Sequence, residues 1–179
     1  MPEVQVRALN LTDLPVLLTI DHSCQTDHVW QMDVQSEGDH FGAIFREIRL
    51  PRLVSISYPR PVSELSQSWN RLSEILVSII DDQVVGYIRT SDAILPHTVW
   101  MMDLVVAPRF RRQGVASALV LAAQSWAVQR KISRALIEMP SKNNPAIRLA
   151  QKLGYEFCGY NDKYYDSQDI ALFFGCFIR

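Results

Sequence analysis

The strongest constraint on the fold is an apolar strand, a basic loop and an apolar helix that follow one another directly. The strand TVWMMDLVVAP spans residues 98–108, three arginines fall within residues 109–112, and the helix GVASALVLAAQSWAVQRK spans residues 114–131. This helix is apolar on most of its surface, which predicts that it is largely buried. A buried strand that leads into a buried helix indicates an α/β protein whose helix packs on a sheet.

Further strands are predicted on both sides of this unit. The segment EILVSIIDDQVVGYIRTSD predicts a hairpin with its turn at residues 81–83. Two more strands are predicted at residues 133–140 and 155–160. The terminal strand at residues 169–178 is apolar on both faces, which is compatible with a central place in the sheet or with pairing across a homodimer.

A second helix is predicted in NPAIRLAQKLGY. Asn143 or Asn144 provides its N-cap, Pro145 fits its first turn and Gly154 fits its end. The resulting element order, β–β–β–α–β–α–β–β, indicates one mixed sheet with helices packed on it.

The first third of the chain carries weaker signals. Residues 4–9 alternate as a strand does, and Thr12 is predicted to cap a short helix with Asp13 in its first turn. Residues 40–50 are compatible with strand or helix, and the β-rich LVSISYP that follows favours strand for their end. Residues 60–73 predict a short helix or an ordered loop.

Composition and charge exclude several kinds of partner. The 179 residues suit a single domain spanning residues 1–179, and the net charge of −1 provides no basic excess for nucleic acid. No apolar run approaches the ~18 residues of a membrane span, and the N-terminus lacks the apolar core of a signal peptide. The three cysteines and four histidines show no metal-ligand spacing. We therefore expect a cytoplasmic protein that binds no nucleic acid, membrane or metal.

The basic loop lies beside a predicted helix N-terminus, where free N–H groups and the helix dipole favour an anion. Gly114 allows a ligand to approach the backbone closely, and Ala116 keeps the first helical turn small. The N–H groups from Arg112 to Ser117 are therefore predicted to converge on a diphosphate. A solvated turn before a core helix explains the same residues equally well.

Two longer motifs favour the diphosphate. The first is Leu104-x-Val106-x-Pro108-x-x-Arg111-x-x-Gly114-x-Ala116, which resembles the acetyl-CoA-binding motif of the GCN5-related N-acetyltransferases (GNAT). The second, NNPAIRLAQKLGYEFCGY, resembles the second helix and following strand of that family. The resemblance covers about residues 75–178. The closing stretch GYNDKYYDSQDIALFF, residues 159–174, is similar to the streptothricin-acetyltransferase branch. The family resemblance implies the GNAT fold, a central, mixed, mostly antiparallel sheet of six or seven strands with helices on both faces.

The resemblance also implies where acetyl-CoA, the cosubstrate, would bind. The backbone of Leu104, Val105 and Val106 would pair with the pantetheine arm where the central strands splay apart. Asn143 would face the cofactor near its thioester. The pyrophosphate would lie on the loop and first helical turn, formed by Arg111, Arg112, Gln113, Gly114, Val115, Ala116 and Ser117.

The implied reaction is direct attack of an acceptor amine in a ternary complex. An amine with a lysine-like pKa of ~10.4 must first lose a proton. Glu138 matches the general-base position of part of the family, and a surface carboxylate is its structural alternative. Asp103 is the competing candidate because it interrupts an apolar strand, where an acid is paired, exposed or functional.

The sequence departs from the family at Ala150, where many members carry the tyrosine that protonates the leaving thiolate. A thiol pKa near ~8.5 makes the thiolate a fair leaving group without help. Tyr160, Tyr164 and Tyr165 are candidate replacements for the missing acid.

We predict an N-acetyltransferase that acts on a small cationic amine. Two alternatives remain: a protein N-terminal or lysine acetyltransferase, and a non-catalytic acyl-CoA-binding sensor module, which Ala150 favours. Asp21, Asp27 and Asp33 are hypothesised to attract the cation and Trp30 to stack on it. An ordinary exposed loop explains this segment as well.

Overall fold

Nine strands and three α-helices lie within residues 3–63 and 74–179, the part of the chain that the computed structural model describes. The strands are β1 (Gln5–Ala8), β2 (Cys24–Glu37), β3 (His40–Ile56), β4 (Glu74–Ile80), β5 (Gln83–Leu95), β6 (Thr98–Val106), β7 (Arg134–Pro140), β8 (Glu156–Asn161) and β9 (Ala171–Phe177). The helices are α1 (Leu14–Thr19), α2 (Val115–Gln129) and α3 (Asn144–Lys152). The helix or loop predicted at residues 60–73 falls mostly on residues 64–73, outside the described residues.

Seven strands form one sheet in the order β1-β4-β5-β6-β7-β9-β8, and β2 and β3 form a separate hairpin. Within the sheet β6 and β7 run parallel, and the other neighbouring pairs are antiparallel. The predicted mixed, mostly antiparallel sheet is confirmed. The apolar terminal strand β9 lies between β7 and β8. It therefore has an internal place in the sheet, which is the first of the two possibilities that its sequence allows.

Helices cover both faces of the sheet because the strands direct alternate apolar side chains to each face. On one face, Leu17 of α1 packs with Tyr87 and Val105. On the opposite face, α2 contributes Leu119 and α3 contributes Ile147 to a larger core cluster. None of the helices within the described ranges is long and apolar enough to cross a bilayer.

The start of α1 differs from the prediction. The helix begins at Leu14 and follows a 3₁₀ turn that starts after Asn10, so Thr12 is not the N-cap. The carboxylate of Asp13 accepts the backbone N–H of Asn10 at 2.8 Å and forms an ion pair with Arg7 at 2.7 Å. A charged carboxylate is a stronger hydrogen-bond acceptor than the hydroxyl of Thr12. This explains why Asp13 accepts the N–H of Asn10 at the start of the 3₁₀ turn.

The polar segment at residues 21–33 does not form a loop, because most of it belongs to β2. Residues 40–50 lie within β3, so the preference for strand there is correct. Trp30 connects the β2–β3 hairpin to the end of β7 and the start of α3 by two hydrogen bonds. Its backbone N–H donates to the carbonyl of Ser141 at 2.9 Å, and its indole N–H donates to Asn144 at 3.0 Å.

The separation of β6 from β7 creates the gap in which the site lies. Their parallel pairing extends only to Met101 and Ile137. At the same level the register of β6 against β5 slips between Met101 and Asp103, which leaves Met102 as a bulge. Beyond this point one edge of β6 and one edge of β7 diverge without pairing to each other.

Gly86 of β5 allows this strand to approach the last residues of β6 closely. A Cβ at this position would lie 2.5 Å from the carbonyl oxygen of Val105 and 3.2 Å from the Cα of Val106. Both neighbours are backbone atoms, which cannot rotate away as a flexible side chain can. The bare glycine is therefore what allows β5 and β6 to pack here.

The substitution Gly86→Ala should lower the free energy of unfolding by about 1–3 kcal/mol, the usual cost of overpacking a well-packed core. Chemical denaturation measures this change. Gly42→Ala is the matched control, because Gly42 is also a strand glycine and a Cβ there meets no atom within 4 Å. Equal losses in the two variants would show that the close approach is not the cause.

Candidate active site

The gap between β6 and β7 leaves one edge of β6 available to a ligand. Leu104, Val105 and Val106 pair with β5 on one side, and β7 has already turned away on the other. An extended ligand arm can add to such an edge through main-chain hydrogen bonds, as an extra strand would. This geometry fits the pantetheine pairing that the resemblance implies.

The loop after β6 ends in a left-handed glycine that begins α2. Gly114 is the N-cap with φ of 88°, and Arg112 also has a positive φ, 63°. None of the six backbone N–H groups from Arg112 to Ser117 donates to an acceptor among the described residues. A Cβ on Gly114 would meet no protein atom within 4 Å. Six free donors around an open space fit the diphosphate of CoA.

The three arginines of the loop have different roles. Arg111 donates from Nε to the carbonyl of Val106 at 2.7 Å, and from its terminal nitrogen to the carbonyl of Asp21 at 2.9 Å. Arg109 lies over its neighbouring phenylalanine ring, whereas Arg112 is exposed. Arg111 therefore fixes the shape of the loop, and Arg112 is the better placed of the two predicted arginines to meet a phosphate.

Asn143 is the N-cap of α3, which resolves the choice between the two asparagines. Its side-chain oxygen accepts the backbone N–H of Ala146 at 3.2 Å. Its amide nitrogen has no hydrogen-bond partner in the described part of the chain. Asn143 follows the end of β7 by three residues, so this free donor lies at the rim of the gap.

Glu138 lies on β7 where the gap opens, and it is 6% exposed. One carboxylate oxygen, Oε2, accepts the indole N–H of Trp100 at 3.0 Å and the hydroxyl of Tyr164 at 3.3 Å. The other, Oε1, accepts the guanidinium of Arg60. The alternative of a surface carboxylate is wrong, because Glu138 is buried among three donors.

Asp103 lies on β6 across the gap and is also buried. Its oxygens accept hydrogen bonds from Arg89 and Tyr58, and Arg60 lies 3.3 Å from Oδ1. The acid is thus paired, as a carboxylate in an apolar strand must be. Burial and the negative charge of Asp103 raise the pKa of Tyr58 well above its ordinary value, so this tyrosine remains a donor at neutral pH.

Arg60 joins the two acids into one assembly, which we call the carboxylate cluster: Asp103, Glu138, Arg60 and Arg89. Two carboxylates and two guanidinium groups make its net charge zero. The sequence indicates that the acids need partners but does not identify them, because Arg60 is 43 and 78 residues away from the acids it contacts. Tyr58 and Trp100 are missed for the same reason.

The three candidate tyrosines differ in their distance from Glu138. Tyr164 contacts Glu138 directly, and Tyr165 is buried nearby. Burial and the charge of Glu138 raise the pKa of both, so both hold their protons. Tyr160 packs against the β2–β3 hairpin instead. Ala150 is fully buried in α3.

The residues hypothesised to recognise a cation do not form one site. Asp33 pairs with Arg46 across the hairpin at 2.6 Å, and Asp27 pairs with its neighbouring histidine at 2.7 Å. Trp30 is bound to α3, and strand alternation directs it away from Asp33. The carboxylate cluster, which lies in the gap itself, is the better candidate.

A mixed sheet that splays between two parallel strands, with free N–H groups at a helix N-terminus beside the gap, is the arrangement that the resemblance to the N-acetyltransferases implies. The family model described as the acetyltransferase (GNAT) family matches residues 43–155. The chain belongs to this family and is an acetyltransferase that uses acetyl-CoA.

Known proteins are similar over nearly the whole chain. Streptothricin acetyltransferase from Streptomyces lavendulae is 22% identical over 162 residues, which cover 90% of this chain and 86% of that protein. The crystal structure of nourseothricin acetyltransferase has a TM-score of 0.83 at 24% identity and covers 98% and 99% of the two chains. A Bacillus anthracis str. Ames protein, assigned as a streptothricin acetyltransferase and solved with acetyl coenzyme A, has a TM-score of 0.77 at 18% identity and covers 98% and 100%. The two structural likenesses show the shared fold.

The substitution Gly114→Ala should weaken acetyl-CoA binding by about tenfold, the effect of losing roughly one charge-assisted hydrogen bond. The added Cβ enters open space beside the free N–H groups of the loop and strains the left-handed backbone that presents them. Isothermal titration with acetyl-CoA measures the change. Gly154→Ala is the control, because Gly154 has a similar φ of 81° and equally open surroundings. It should lower stability through the same backbone strain and leave the affinity unchanged, and a matching loss of affinity would contradict the loop assignment.

The burial of His22 predicts that the stability of the fold depends on pH. It is buried between the carbonyl of Ile20 at 2.6 Å and the hydroxyl of Tyr87 at 3.0 Å, and burial lowers its pKa below 6.5. The unfolded chain therefore binds the proton more readily, so stability is lost as the pH falls from about 6.5 through the lowered pKa. Denaturation between about pH 7.5 and 5 should show a smaller loss for His22→Gln than for the wild type. His40→Gln, at the exposed hairpin tip, should keep the wild-type slope.

Proposed function

We propose that this chain, acting as one domain over residues 1–179, transfers acetyl from acetyl-CoA to the primary amine of a small cationic acceptor. The observation that carries the proposal is the carboxylate cluster, which places two buried acids where β6 and β7 separate. The names of two of the similar proteins support an acceptor of the streptothricin type. The acceptor attacks directly, with both substrates bound together.

The residues of the gap and loop fit acetyl-CoA, which supplies the acetyl group as an activated thioester. The free edge of β6 at Leu104–Val106 aligns the pantetheine arm. The N–H groups of Arg112–Ser117 hold the diphosphate, each contributing ~0.3–1 kcal/mol, so that useful affinity comes from several together. The free amide nitrogen of Asn143 donates to the cofactor near its thioester.

Glu138 acts as the general base. An alkylamine with a pKa near ~10.4 arrives as an ammonium ion, which has no lone pair for attack. Glu138 accepts one of its protons, and the freed lone pair forms the bond to the acetyl carbon. This carboxylate lies where the gap opens, with the more exposed Arg60 beside it.

Tyr164 completes the proton path. Its hydroxyl donates to Oε2 of Glu138 at 3.3 Å, and its raised pKa keeps the proton in place until it is needed. Once Glu138 carries the proton from the amine, Tyr164 gives its own proton to the departing sulfur and receives the one from Glu138. The ammonium nitrogen loses two protons on becoming an amide: one reaches the sulfur by this path, and the other is released to solvent. Both side chains then return to their starting states.

Asp103 acts as a positioning residue. Its Oδ2 accepts a hydrogen bond from the buried Arg89 and its Oδ1 accepts one from Tyr58, so both oxygens keep a donor even without Arg60. Oε1 of Glu138, in contrast, has Arg60 as its donor. Asp103 holds Arg60 and Tyr58 at the wall of the gap.

The substitution Glu138→Gln should lower kcat by about 10²–10⁴-fold, the usual contribution of a positioned base. Thiol release from acetyl-CoA with streptothricin, spermidine or a lysine peptide measures turnover and ranks the acceptor classes. Glu156→Gln, at an exposed position on β8, is the control and should keep wild-type turnover.

Thermal melting separates catalysis from binding alone. Acetyl-CoA at 100 times its Kd should stabilise the wild type and Glu138→Gln equally, by about 2.7 kcal/mol. Stabilisation without turnover on any amine would favour the acyl-CoA-binding module that Ala150 suggests. Unchanged kcat in Glu138→Gln would remove Glu138 as the base.

A further inference from the structure

Arg60 closes the carboxylate cluster toward solvent. Its guanidinium donates to Glu138, and it lies 3.3 Å from Oδ1 of Asp103 and 2.9 Å from the carbonyl of Met102. The Arg60 side chain is 18% exposed, whereas those of Asp103 and Glu138 are 3% and 1% exposed. An acceptor that approaches the acids from solvent therefore meets Arg60 first.

The two acids depend on Arg60 to different degrees. Asp103 has a second cationic partner in Arg89, which is itself buried. Glu138 has no cation other than Arg60 among residues 3–63 and 74–179, since Trp100 and Tyr164 are neutral donors. If Arg60 moved away, Asp103 would remain compensated and Glu138 would become a buried, unpaired carboxylate. Such a charge is strongly unfavourable, so the position beside Oε1 requires a cation.

The surroundings of the guanidinium suit an alkylammonium equally well. The ring of Tyr165 lies 5.4 Å from the guanidinium carbon, and an aromatic face beside a carboxylate attracts either cation. The hydroxyl of Tyr165 is buried and has no hydrogen-bond partner within the described ranges, which leaves it available to a ligand.

The direction in which Arg60 can move is set by the space around it. A cavity of about 10 Å³ lies on its inner side, lined in part by Tyr58, Tyr87 and Asp103. This volume admits about one water molecule and cannot receive a guanidinium group. The guanidinium therefore cannot move into this cavity, whereas the exposed part of the side chain already faces solvent.

We infer that Arg60 is an internal competitor for the acceptor: its guanidinium holds the place of the acceptor ammonium beside Glu138 and is displaced when the acceptor binds. The inference rests on the proposed function, because it takes Glu138 as the group that receives the amine. The exchange replaces one cation with another, so the charge of the cluster is conserved. A neutral acceptor cannot make this exchange, and Arg60 thereby selects for cationic amines.

The first test uses steady-state kinetics. Arg60→Ala should lower the KM for the cationic acceptor by about tenfold, because the competing group is absent, and leave the KM for acetyl-CoA unchanged. Arg60→Lys, which keeps a competing cation, should retain a KM close to that of the wild type. An acceptor KM that is unchanged or higher in Arg60→Ala would overturn the inference, since Arg60 would then be structural or would bind the acceptor itself.

The second test needs no turnover. Trp100 donates to Glu138, so its indole N–H resonance, assigned with Trp100→Phe, reports on what lies beside that carboxylate. Ethylguanidinium added at millimolar concentration should bind Arg60→Ala and shift this resonance, and should leave the wild type unaffected. Equal shifts in both proteins would overturn the inference. Arg60→Gln gives the same comparison if Arg60→Ala does not fold.

Arg130→Ala is the matched control, because Arg130 also pairs with an acid, Asp92 at 3.0 Å, and also lies over an aromatic ring, Trp126 at 4.7 Å. It should behave as the wild type does in both tests. Failure of the wild type to acetylate any amine would remove the proposed function, and the ethylguanidinium titration would still decide the role of Arg60.

Discussion

The end of pairing between β6 and β7 is the constraint on which the site depends. Two parallel strands that stay paired would leave no free edge for a ligand arm and no opening between their side chains. Here the pairing ends at Met101 and Ile137, and the bulge at Met102 turns the rest of β6 away. The residues next to this break, Asp103 and Glu138, are then directed into the gap instead of into a packed sheet.

The buried acids in turn determine what must surround the gap. Two carboxylates cannot be buried in an apolar sheet without donors and compensating charge. Arg89 comes from the neighbouring strand β5, whereas Arg60 comes from the segment after the hairpin. Arg60 pairs with the two acids, and the segment that carries it therefore forms part of the wall of the gap. The side proposed for the acceptor is thus built around the two buried carboxylates.

The elements that follow from local rules could be predicted from the sequence. The strand, loop and helix from residue 98 to residue 131 are recognisable because a buried strand, a left-handed glycine and an apolar helix each have a signature within a few residues. The same holds for α3, whose cap, proline and terminal glycine are adjacent in the chain. The loop proposed to hold the diphosphate belongs to this class because backbone conformation and helix position define it.

The elements set by long-range contacts could not be predicted. β2 and β3 are half-exposed, so their apolar residues do not alternate clearly. The sequence indicates strand only toward the end of residues 40–50, and the long pairing with β2 identifies the rest. Arg60 carries no local signal, since nothing near it in sequence specifies contact with a carboxylate 78 residues away. The cap at α1 shows the same limit on a small scale. Thr12 fits the statistical preference, but the ion pair of Asp13 with Arg7 of β1 decides the outcome.

The free N–H groups of the loop have an evolutionary consequence. Every residue type except proline carries a backbone N–H, so most side chains between Arg112 and Ser117 can change while these N–H groups remain. The proposed acceptor side has no such tolerance, because it consists of side chains such as Arg60 and Tyr164, and a single replacement there would alter which amine is accepted. Lineages built on this scaffold should therefore exchange acceptors readily while remaining committed to the same acyl donor.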